Sequence, residues 1–397
     1  MSPPDEPAAT WTYDPSHYPE PMSPLSADVW FASMGEGIRA AARELRAPFG
    51  GFETATFAGG WAYEHELDPA WEPDAEQMRQ AALEVAERWE REYRPRAEAI
   101  TGEILRMRPE RPPPADAVAL LDRLLELTRE QWRLHFLTVI AVHHARELVH
   151  DEYVARFGKA DELEPYRLSE GLANETLLAD ERLWEVAELA RSLDVADAVL
   201  ELPAEAALER LAQTAHGRRV LAAVAGYLER YGGRSRLHEL SEPRVAERPA
   251  LALETVRLFL ERPRDLPAER RAKAAERERF EAGTLARIED RGDRAAFAGV
   301  LSRLLAAVPL EESHAYAIDY PGLAAVREVL LGVGRRLVAE TRLDDPEDVF
   351  LLTWVELRAA VADAWGEGLH ALARERRAEL EAARLRAPEP YLGAAPD

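Results

Sequence analysis

The chain has 397 residues, of which 47% are hydrophobic and 31% are charged, and it contains no cysteine. This length allows one large helical domain with two lobes or two separate domains, and the lack of cysteine excludes disulfides, thiolate nucleophiles and cysteine-ligated zinc. The formal net charge of −23 opposes contact with nucleic acid or anionic membranes over the whole surface.

The sequence shows neither a membrane span nor a secretory signal. No apolar run approaches the ~20 residues that a spanning helix needs, and the N-terminal residues have no basic region followed by an apolar one. We therefore predict a cytoplasmic protein.

The N-terminal part contains the predicted β-structure. Residues 1–10 are rich in proline and are predicted to be disordered. The next segment combines prolines with aromatic residues and is expected to lie extended on the body, with His17 hydrogen-bonded to backbone. Between residues 52 and 63 the side chains alternate around the pair Gly59-Gly60, which predicts a β-hairpin.

The rest of the chain is dominated by helical patterns. Apolar residues recur at spacings of three and four, most clearly from Asp116 to Phe157, after a run of prolines. We predict a mainly α fold, a large irregular helical domain with a small β-hairpin near the N-terminus. An apolar run at Val349–Thr353 also fits a strand.

The domain prediction is a single helical domain at residues 11–386. It is expected either as one body or as two lobes, 11–231 and 249–386, with a loop at 232–248 between them. Residues 387–397 are expected to form a flexible tail.

The segment His143–Glu152, HHARELVHDE, concentrates side chains that can bind metals. Helical spacing places His143, Glu147 and His150 on one face, where their nitrogen and oxygen atoms suit a metal ion. A di-iron carboxylate site would need a second such motif and two further inward glutamates, and the sequence shows no convincing second copy. The segment fits a helical metal site, a polar patch lining a substrate pocket, or an exposed helix surface.

The segment Tyr231–Arg244, YGGRSRLHELSEPR, separates two helical regions and contains three arginines and a histidine. Its two adjacent glycines allow positive φ or a close approach of the backbone to another surface. The charged residues that follow need partners if they are buried. The pattern fits either an anion-facing loop or a polar turn held by local salt bridges.

No motif of a self-sufficient active site is present. The sequence contains no Walker phosphate loop, no dinucleotide fingerprint, no GxSxG elbow and no HExxH motif.

Several segments, taken in order, resemble the central region of phosphoenolpyruvate synthase-like phosphotransferases, especially the substrate-binding region of the rifampicin phosphotransferases. The resemblance spans nearly the whole chain, and the shared order makes it specific. The segments are WTYDPSHYPEPMSPL, the hairpin GFETATFAGGWAY, LSEGLANETLLADERLWEVAELAR, YGGRSRLHELSEPRVAERP, and EDVFLLTWVELRAAV with the helix ERRAELEAARLRAPEPYL.

The chain also departs from the family. Gly233 stands where relatives have histidine, and Val245 stands where they have tryptophan. The family's ATP-grasp domain and its phosphohistidine segment are not found in this sequence. We therefore expect no phosphotransfer by this chain alone.

The resemblance implies a division of labour, in which one site splits ATP, a mobile histidine carries the phosphoryl group, and the central helical domain holds the acceptor. This chain is then expected to be the acceptor-binding subunit of a split ATP-dependent, dikinase-type phosphotransferase. Its expected partners are an ATP-grasp subunit, a phosphohistidine subunit and a small-molecule acceptor, with no nucleic acid and no membrane. We expect no cofactor on this chain, with ATP and Mg on a partner subunit. The alternative is a stand-alone small-molecule-binding or regulatory protein derived from such an enzyme.

Motif position also implies the substrate-binding residues, because arginine forks bind phosphate or carboxylate in bidentate fashion. We assign no catalytic residue and no metal ligand. The predicted substrate-binding residues are Arg234, Arg236, His238, Glu239 and Arg244, with His143 and His144 as further candidates for the pocket.

Overall fold

The computed structural model describes residues 9–107, 114–158, 163–365 and 368–393. The mainly α prediction is confirmed, since the structure is 70% helical and its strands form a small antiparallel sheet. The predicted disorder of residues 1–8 lies outside the described residues.

The first helices are joined by π-helical turns. α1 (Pro24–Ser26) continues through Ala27–Phe31 into α2 (Ala32–Leu45), and α3 (Ala75–Arg88) continues through Trp89–Tyr93 into α4 (Arg94–Leu105). The remaining α-helices are α5 (Pro114–Phe157), α6 (Glu175–Ser192), α7 (Ala196–Glu201), α8 (Ala204–Ala212), α9 (Ala215–Tyr231), α10 (Ala250–Glu261), α11 (Leu266–Ala286), α12 (Arg291–Ala307), α13 (Leu310–Ser313), α14 (Asp319–Ala339), α15 (Trp354–Val361) and α16 (Leu369–Arg384).

Short polar side chains fix many of the helix starts. The Asp74, Asn174 and Thr214 side chains each accept a hydrogen bond from a backbone N–H in the first turn of the helix that follows. These contacts satisfy donors that have no partner inside the helix. The boundaries of α3, α6 and α9 are therefore encoded locally.

The predicted hairpin is confirmed and belongs to a four-stranded sheet within the described residues. β1 (Trp11–Tyr13), β2 (Phe52–Phe57), β3 (Trp61–Glu66) and β4 (Tyr391–Leu392) lie in the order β2-β3-β1-β4, and every pairing is antiparallel. Gly59 and Gly60 have φ of 89° and 113° in the turn, a conformation that glycine adopts without steric cost.

The sheet brings together the two ends of the described chain. Trp11 pairs with Leu392, and Thr12 pairs with Tyr391. The segment expected to be a flexible tail therefore contains a paired strand. Residues 394–397 of that segment lie outside the described residues.

The strand expected at Val349–Thr353 is wrong. Pro346–Leu351 forms a 3-10 helix whose start is capped by the Asp345 side chain. Its apolar residues are buried, and a short apolar run does not distinguish a buried strand from a buried helical turn. The cap at Asp345 stabilises the first turn of this helix.

In the described parts of the chain, buried apolar side chains form two clusters. The larger involves α2 to α5, α12 and α14, and the smaller involves α6 to α10. The division into lobes at residues 231 and 249 stays a prediction.

The helix α5 is the long axis of the larger cluster. It has 44 residues and is therefore about 66 Å long. Helix α2 packs on it closely at Gly37, where an added Cβ would lie 2.6 Å from Cβ of Trp132. Among the described residues, no helix is both long and apolar enough to cross a bilayer.

Candidate functional site

A cavity of about 1050 Å³ lies beside the middle of α5. Its walls come from segments far apart in the chain: the stretch after β1, α2, strand β3, α5, the loop around His238, and residues 311–320. The cavity is large enough for a drug-sized molecule.

One face of α5 supplies much of the wall. The lining residues of this helix recur at spacings of three and four, which places them in a single stripe. In order along the helix they are Trp132, His135, Phe136, Val139, Ile140, His143, His144 and Glu147. The stripe is apolar in the middle of the helix and becomes polar toward its C-terminal end.

The cavity lining contains both apolar and polar side chains. Apolar lining also comes from Met34 and Ile38 on α2 and from Phe49 and Phe52. Part of the polar lining combines imidazoles and carboxyls, namely Asp14, His17, Glu64, His135, His238, His314 and Asp319. This combination lets one molecule bury an apolar body while its polar groups meet hydrogen-bonding side chains.

Asp14 and His17 form a pair in the cavity lining. His17 Nδ1 lies 2.7 Å from Asp14 Oδ2, and the backbone N–H groups of Ser16 and His17 donate to Asp14 Oδ1 at 3.0 and 3.2 Å. The hydrogen bond to Asp14 raises the pKa of His17 against the opposing effect of burial. Burial raises the pKa of Asp14, but the hydrogen bonds and charge of His17 outweigh it, and the net pKa is lowered. His17 thus bonds a carboxylate, not the backbone as expected.

Glu64 on β3 faces the same part of the cavity. Burial, followed by the charge of Asp14, raises its pKa to about 7 against the opposing charge of His17. A carboxyl with such a pKa exchanges protons near neutral pH, the property that suits a general base or acid.

Among the described residues, one group of His, Asp and Glu side chains converges closely enough to hold a metal ion. It consists of His135, His314 and Asp319, whose ligand atoms lie within 4.8 Å of one another. His135 Nδ1 lies 2.8 Å from Asp319 Oδ1, and His314 Nε2 lies 3.5 Å from Asp319 Oδ2. His314 and Asp319 are buried.

Burial and the neighbouring charges shift the pKa of each member of this group. Burial raises the pKa of Asp319, but the charge and hydrogen bond of His135, together with the charge and close contact of His314, outweigh it and hold the pKa well below its usual range. Burial lowers the pKa of His135, against the charge of Asp319. Burial also lowers the pKa of His314, but its contact with Asp319 outweighs this and raises it.

His238 is the member of the 232–248 loop that reaches the cavity. Its ring centroid lies 5.9 Å from that of His17 and 6.4 Å from that of Tyr18. Burial lowers its pKa to about 4. The imidazole is therefore neutral at pH 7 and can accept or donate a hydrogen bond without carrying charge.

The predicted substrate-binding residues separate into two sets. His238, His143 and His144 line the cavity, whereas Arg234, Arg236, Glu239 and Arg244 lie outside its lining. Arg234 is held over the rings of Tyr316 and Tyr320, at 5.7 and 5.8 Å from their centroids. Arg236 is exposed and pairs with Glu20 at 2.8 Å. Acceptor contacts by these residues stay a prediction.

Glu239 holds the loop to the start of α1. The hydroxyl of Ser23 donates to its Oε1 at 2.7 Å, the backbone N–H of Ser23 donates to its Oε2 at 3.2 Å, and the Ser26 hydroxyl donates to Oε1. The side chain is buried, and these bonds satisfy its carboxylate inside the fold.

Arg244 is also buried, and it bonds within the same loop. Its Nη2 donates to the carbonyl of Glu239 at 2.7 Å, while Nε and Nη1 have no hydrogen-bond partner among the described residues. Burial, followed by the charge of Arg327, lowers its pKa to about 10. In this part of the loop, charged side chains hold neighbouring segments together.

The two glycines of the loop serve close approach, not positive φ. Gly232 has φ of −70°, and an added Cβ there would lie 2.8 Å from Cβ of Ala246. At Gly233 an added Cβ would lie 3.2 Å from the carbonyl oxygen of Tyr320. Tyr320 is itself a cavity-lining residue, so Gly233 packs directly behind the cavity wall.

His143, Glu147 and His150 do not converge as a metal site in the described structure. His144 Nδ1 lies 3.1 Å from Glu147 Oε2, and His150 Nδ1 lies 3.0 Å from Asp151 Oδ1. His143 and His144 instead belong to the cavity lining.

Sequence reasoning missed His135, His314 and Asp319. One local signal was present, because His135 stands in the apolar stripe of α5, three residues after Trp132 and four before Val139. His314 and Asp319 carry no motif spacing. They lie 179 and 184 residues further along the chain than His135, so only the tertiary fold brings them to it.

Comparison with known proteins finds a family match in the central part of the chain. Residues 135–312 match the family described as the rifampicin phosphotransferase fourth domain. The chain carries a phosphotransferase-related central region. The resemblance inferred from the ordered motifs is thereby confirmed, and it supports a phosphotransferase-related role.

Two longer proteins are similar to this chain. Chondramide synthase cmdD of Chondromyces crocatus is 27% identical over 378 residues, which are 90% of this chain and 10% of that protein. The uncharacterized phosphotransferase YvkC of Bacillus subtilis (strain 168) is 28% identical over 227 residues, 56% of this chain and 26% of that protein. The chain thus spans a minor part of both relatives.

Proposed function

We propose that this chain binds the small organic acceptor of an ATP-dependent, dikinase-type phosphotransferase. The cavity beside α5 carries the proposal, because it combines about 1050 Å³ of space with apolar side chains, imidazoles and carboxyls in its lining. The family match at residues 135–312 supports the same role, since this range includes His238 and the cavity-lining side chains of α5 from His135 onward.

The cavity chemistry indicates what kind of acceptor fits. Trp132 and Phe136, whose rings stack at 5.7 Å, offer a surface for a planar or aliphatic body. The same cavity offers neutral His238 and the Asp14–His17 pair to a hydroxyl. We infer a hydrophobic acceptor with at least one hydroxyl group.

Phosphoryl transfer to such a hydroxyl requires both a positioned oxygen and an acceptor for its proton. The hydroxyl oxygen forms a bond to phosphorus, the bond between phosphorus and the carrier imidazole breaks, and its electron pair returns to that imidazole. The hydroxyl proton passes to a base of the cavity, for which Glu64 has a suitable pKa of about 7. Holding the acceptor in a largely apolar cavity also limits competing attack by water.

The proposal includes partners. An ATP-grasp subunit would bind ATP and Mg, and a phosphohistidine subunit would carry the phosphoryl group to the cavity. The name of the matched family makes rifampicin a reasonable first acceptor to test.

The binding test uses rifampicin and isothermal titration calorimetry. Val139 lines the cavity, whereas Val355 is 74% exposed elsewhere. We expect Val139→Trp to weaken rifampicin binding by about tenfold or more, because the larger ring occupies cavity volume. The matched Val355→Trp variant should bind as the wild type does. Equal binding by both variants would contradict a cavity-bound acceptor.

The catalytic test separates the split enzyme from a stand-alone binding protein. Rifampicin and radiolabelled ATP are incubated with the chain alone and with ATP-grasp and phosphohistidine subunits added. The split enzyme requires labelled rifampicin only in the complete mixture. Consumption of ATP by the chain alone would contradict the division of labour, and binding without transfer in the complete mixture would favour the stand-alone protein.

A further inference from the structure

We propose that His135, His314 and Asp319 form a binding site for a divalent transition metal, with Zn²⁺ as the best-suited ion. Their ligand atoms converge within 4.8 Å in the wall of the cavity. Two imidazoles and one carboxylate are a common protein ligand set for such ions. The site does not depend on the proposed acceptor or on phosphotransfer.

The hydrogen bonding of His314 prepares its other nitrogen for a metal. His314 Nδ1 donates to the carbonyl of Leu310 at 2.7 Å. That bond places a proton on Nδ1 and leaves Nε2 as the ring atom available to a cation. Metal-binding histidines usually donate their second ring N–H to a carbonyl or carboxylate in this way.

The available nitrogen of His314 is buried and lacks a hydrogen-bond partner. The residue is 5% exposed, and Nε2 has no donor or acceptor within hydrogen-bonding geometry among the described residues. An unsatisfied buried nitrogen is unfavourable. A metal ion held between it and the carboxylate of Asp319 would remove that cost.

The spacing to Asp319 suits a shared metal ion better than a hydrogen bond. Nε2 lies 3.5 Å from Asp319 Oδ2, whereas a charge-assisted hydrogen bond spans about 2.7–2.9 Å. Two ligand atoms about 2.0–2.2 Å from one tetrahedral Zn²⁺ are separated by about 3.3–3.5 Å. The separation found here falls in that range.

His135 completes the set with a small adjustment. Its Nδ1 lies 2.8 Å from Asp319 Oδ1, so a metal ion would replace this hydrogen bond, with the imidazole proton then on Nε2. All three residues line the cavity, and a fourth coordination position would face it. A hydroxyl oxygen of a bound molecule could occupy that position, as at zinc sites with three protein ligands.

The experiment measures Zn²⁺ binding to the full chain, freed of any histidine tag and treated with a chelator. Isothermal titration calorimetry should show one Zn²⁺ per chain, and Co²⁺ should give the visible absorption bands of a nitrogen- and oxygen-ligated site. Mg²⁺ should not compete, because it prefers oxygen ligands.

Conservative variants identify the ligands. His314→Gln and Asp319→Asn should each weaken Zn²⁺ binding by about 100-fold or more, since changes to second-shell groups alone cost about 10–100-fold. The control is the double variant His216→Gln, His370→Gln, which removes two histidines outside the cavity lining and should bind Zn²⁺ normally. Circular dichroism and thermal melting show that each variant is folded.

Two outcomes would overturn the proposal: no stoichiometric Zn²⁺ or Co²⁺ binding by the wild type, or undiminished binding by folded His314→Gln and Asp319→Asn. Rifampicin binding measured on the metal-free chain keeps the two proposals apart. If the chain binds rifampicin but not Zn²⁺, the metal-site proposal has failed. If it binds Zn²⁺ but not rifampicin, the acceptor proposal has failed.

Discussion

Individual side chains of the cavity differ sharply in their charge at neutral pH. His238 is neutral, because burial lowers its pKa to about 4, while Glu64 titrates near neutrality, because burial raises its pKa to about 7. Both residues depend on surroundings that come from other segments. The pKa values of both residues therefore depend on the folded cavity and cannot be assigned from residue type.

Glu64 gives a pH prediction with a defined sign. Its folded pKa is raised from 4.5 to about 7, so the native state binds more protons than the unfolded state between these values. Stability should fall as pH rises through this window, by on the order of 1–3 kcal/mol, and the loss should be complete above pH 7. Urea unfolding of the wild type and of Glu64→Gln at pH 5 to 8 measures this loss of stability.

The difference in unfolding free energy between Glu64→Gln and wild type should shift in favour of the variant as pH rises. Glu66→Gln, on the same strand and exposed, controls for removing a negative charge. A difference that is constant across the pH range would contradict the cause we assign.

At the scale of the elements, the cavity depends on how α2 approaches α5. The stripe of α5 lines the cavity from Trp132 onward, and α2 contributes Met34 and Ile38. Gly37 sets the distance between the two backbones, because an added Cβ would lie 2.7 Å from the carbonyl carbon of Trp132 and 2.9 Å from the backbone nitrogen of Arg133.

Gly37→Ala should therefore destabilise the protein, by about 1–3 kcal/mol, since neighbouring backbone must move. Gly226 in α9 is the matched control, because an added Cβ there meets nothing within 4 Å. Gly226→Ala should stabilise by about 0.5–1 kcal/mol, through helix propensity. Thermal unfolding, monitored by circular dichroism, compares the melting temperatures of the two variants. Equal changes in melting temperature for both would count against close packing at Gly37.

Much of the element structure could be predicted locally. The Gly59-Gly60 turn and the alternation around it encode the hairpin, and apolar spacing encodes α5. The tertiary context was needed where local signals were ambiguous, as at Pro346–Leu351, where an apolar run became a 3-10 helix. The pairing of β4 with β1 was also not predictable, because a strand of two residues is too short to show an alternation of apolar and polar side chains.

At the scale of the whole molecule, buried Arg327 joins three distant segments. It is 1% exposed on α14 and pairs with Glu247 at 3.0 Å and Glu347 at 2.7 Å. Its Nη1 also donates to the carbonyls of Leu240 and Ser241 at 2.9 and 3.2 Å. The side chain thus ties the 232–248 loop and the 3-10 helix at Pro346–Leu351 to the larger cluster.

Arg327→Met should destabilise the protein by about 2–3 kcal/mol, because it leaves the carbonyls of Leu240 and Ser241 without this donor and removes the cation from two partly exposed carboxylates. Arg335→Met is the control on the same helix, where the 2.8 Å pair with Glu328 is exposed and should contribute less than about 1 kcal/mol. Denaturant unfolding measures both. A loss at Arg327 no larger than that at Arg335 would refute its role in joining the segments.

The sequence by itself determined the helical class, the hairpin, the family resemblance and the apolar stripe of α5, because each depends on neighbouring residues or on ordered motifs. The sequence also predicted that the loop containing His238 is functionally important, and His238 does line the cavity. Only the tertiary structure decided that Glu239 and Arg244 are buried supports and that His135, His314 and Asp319 converge. Side chains separated by almost half of the chain meet through long-range packing. Local periodicity does not specify which distant segments pack together.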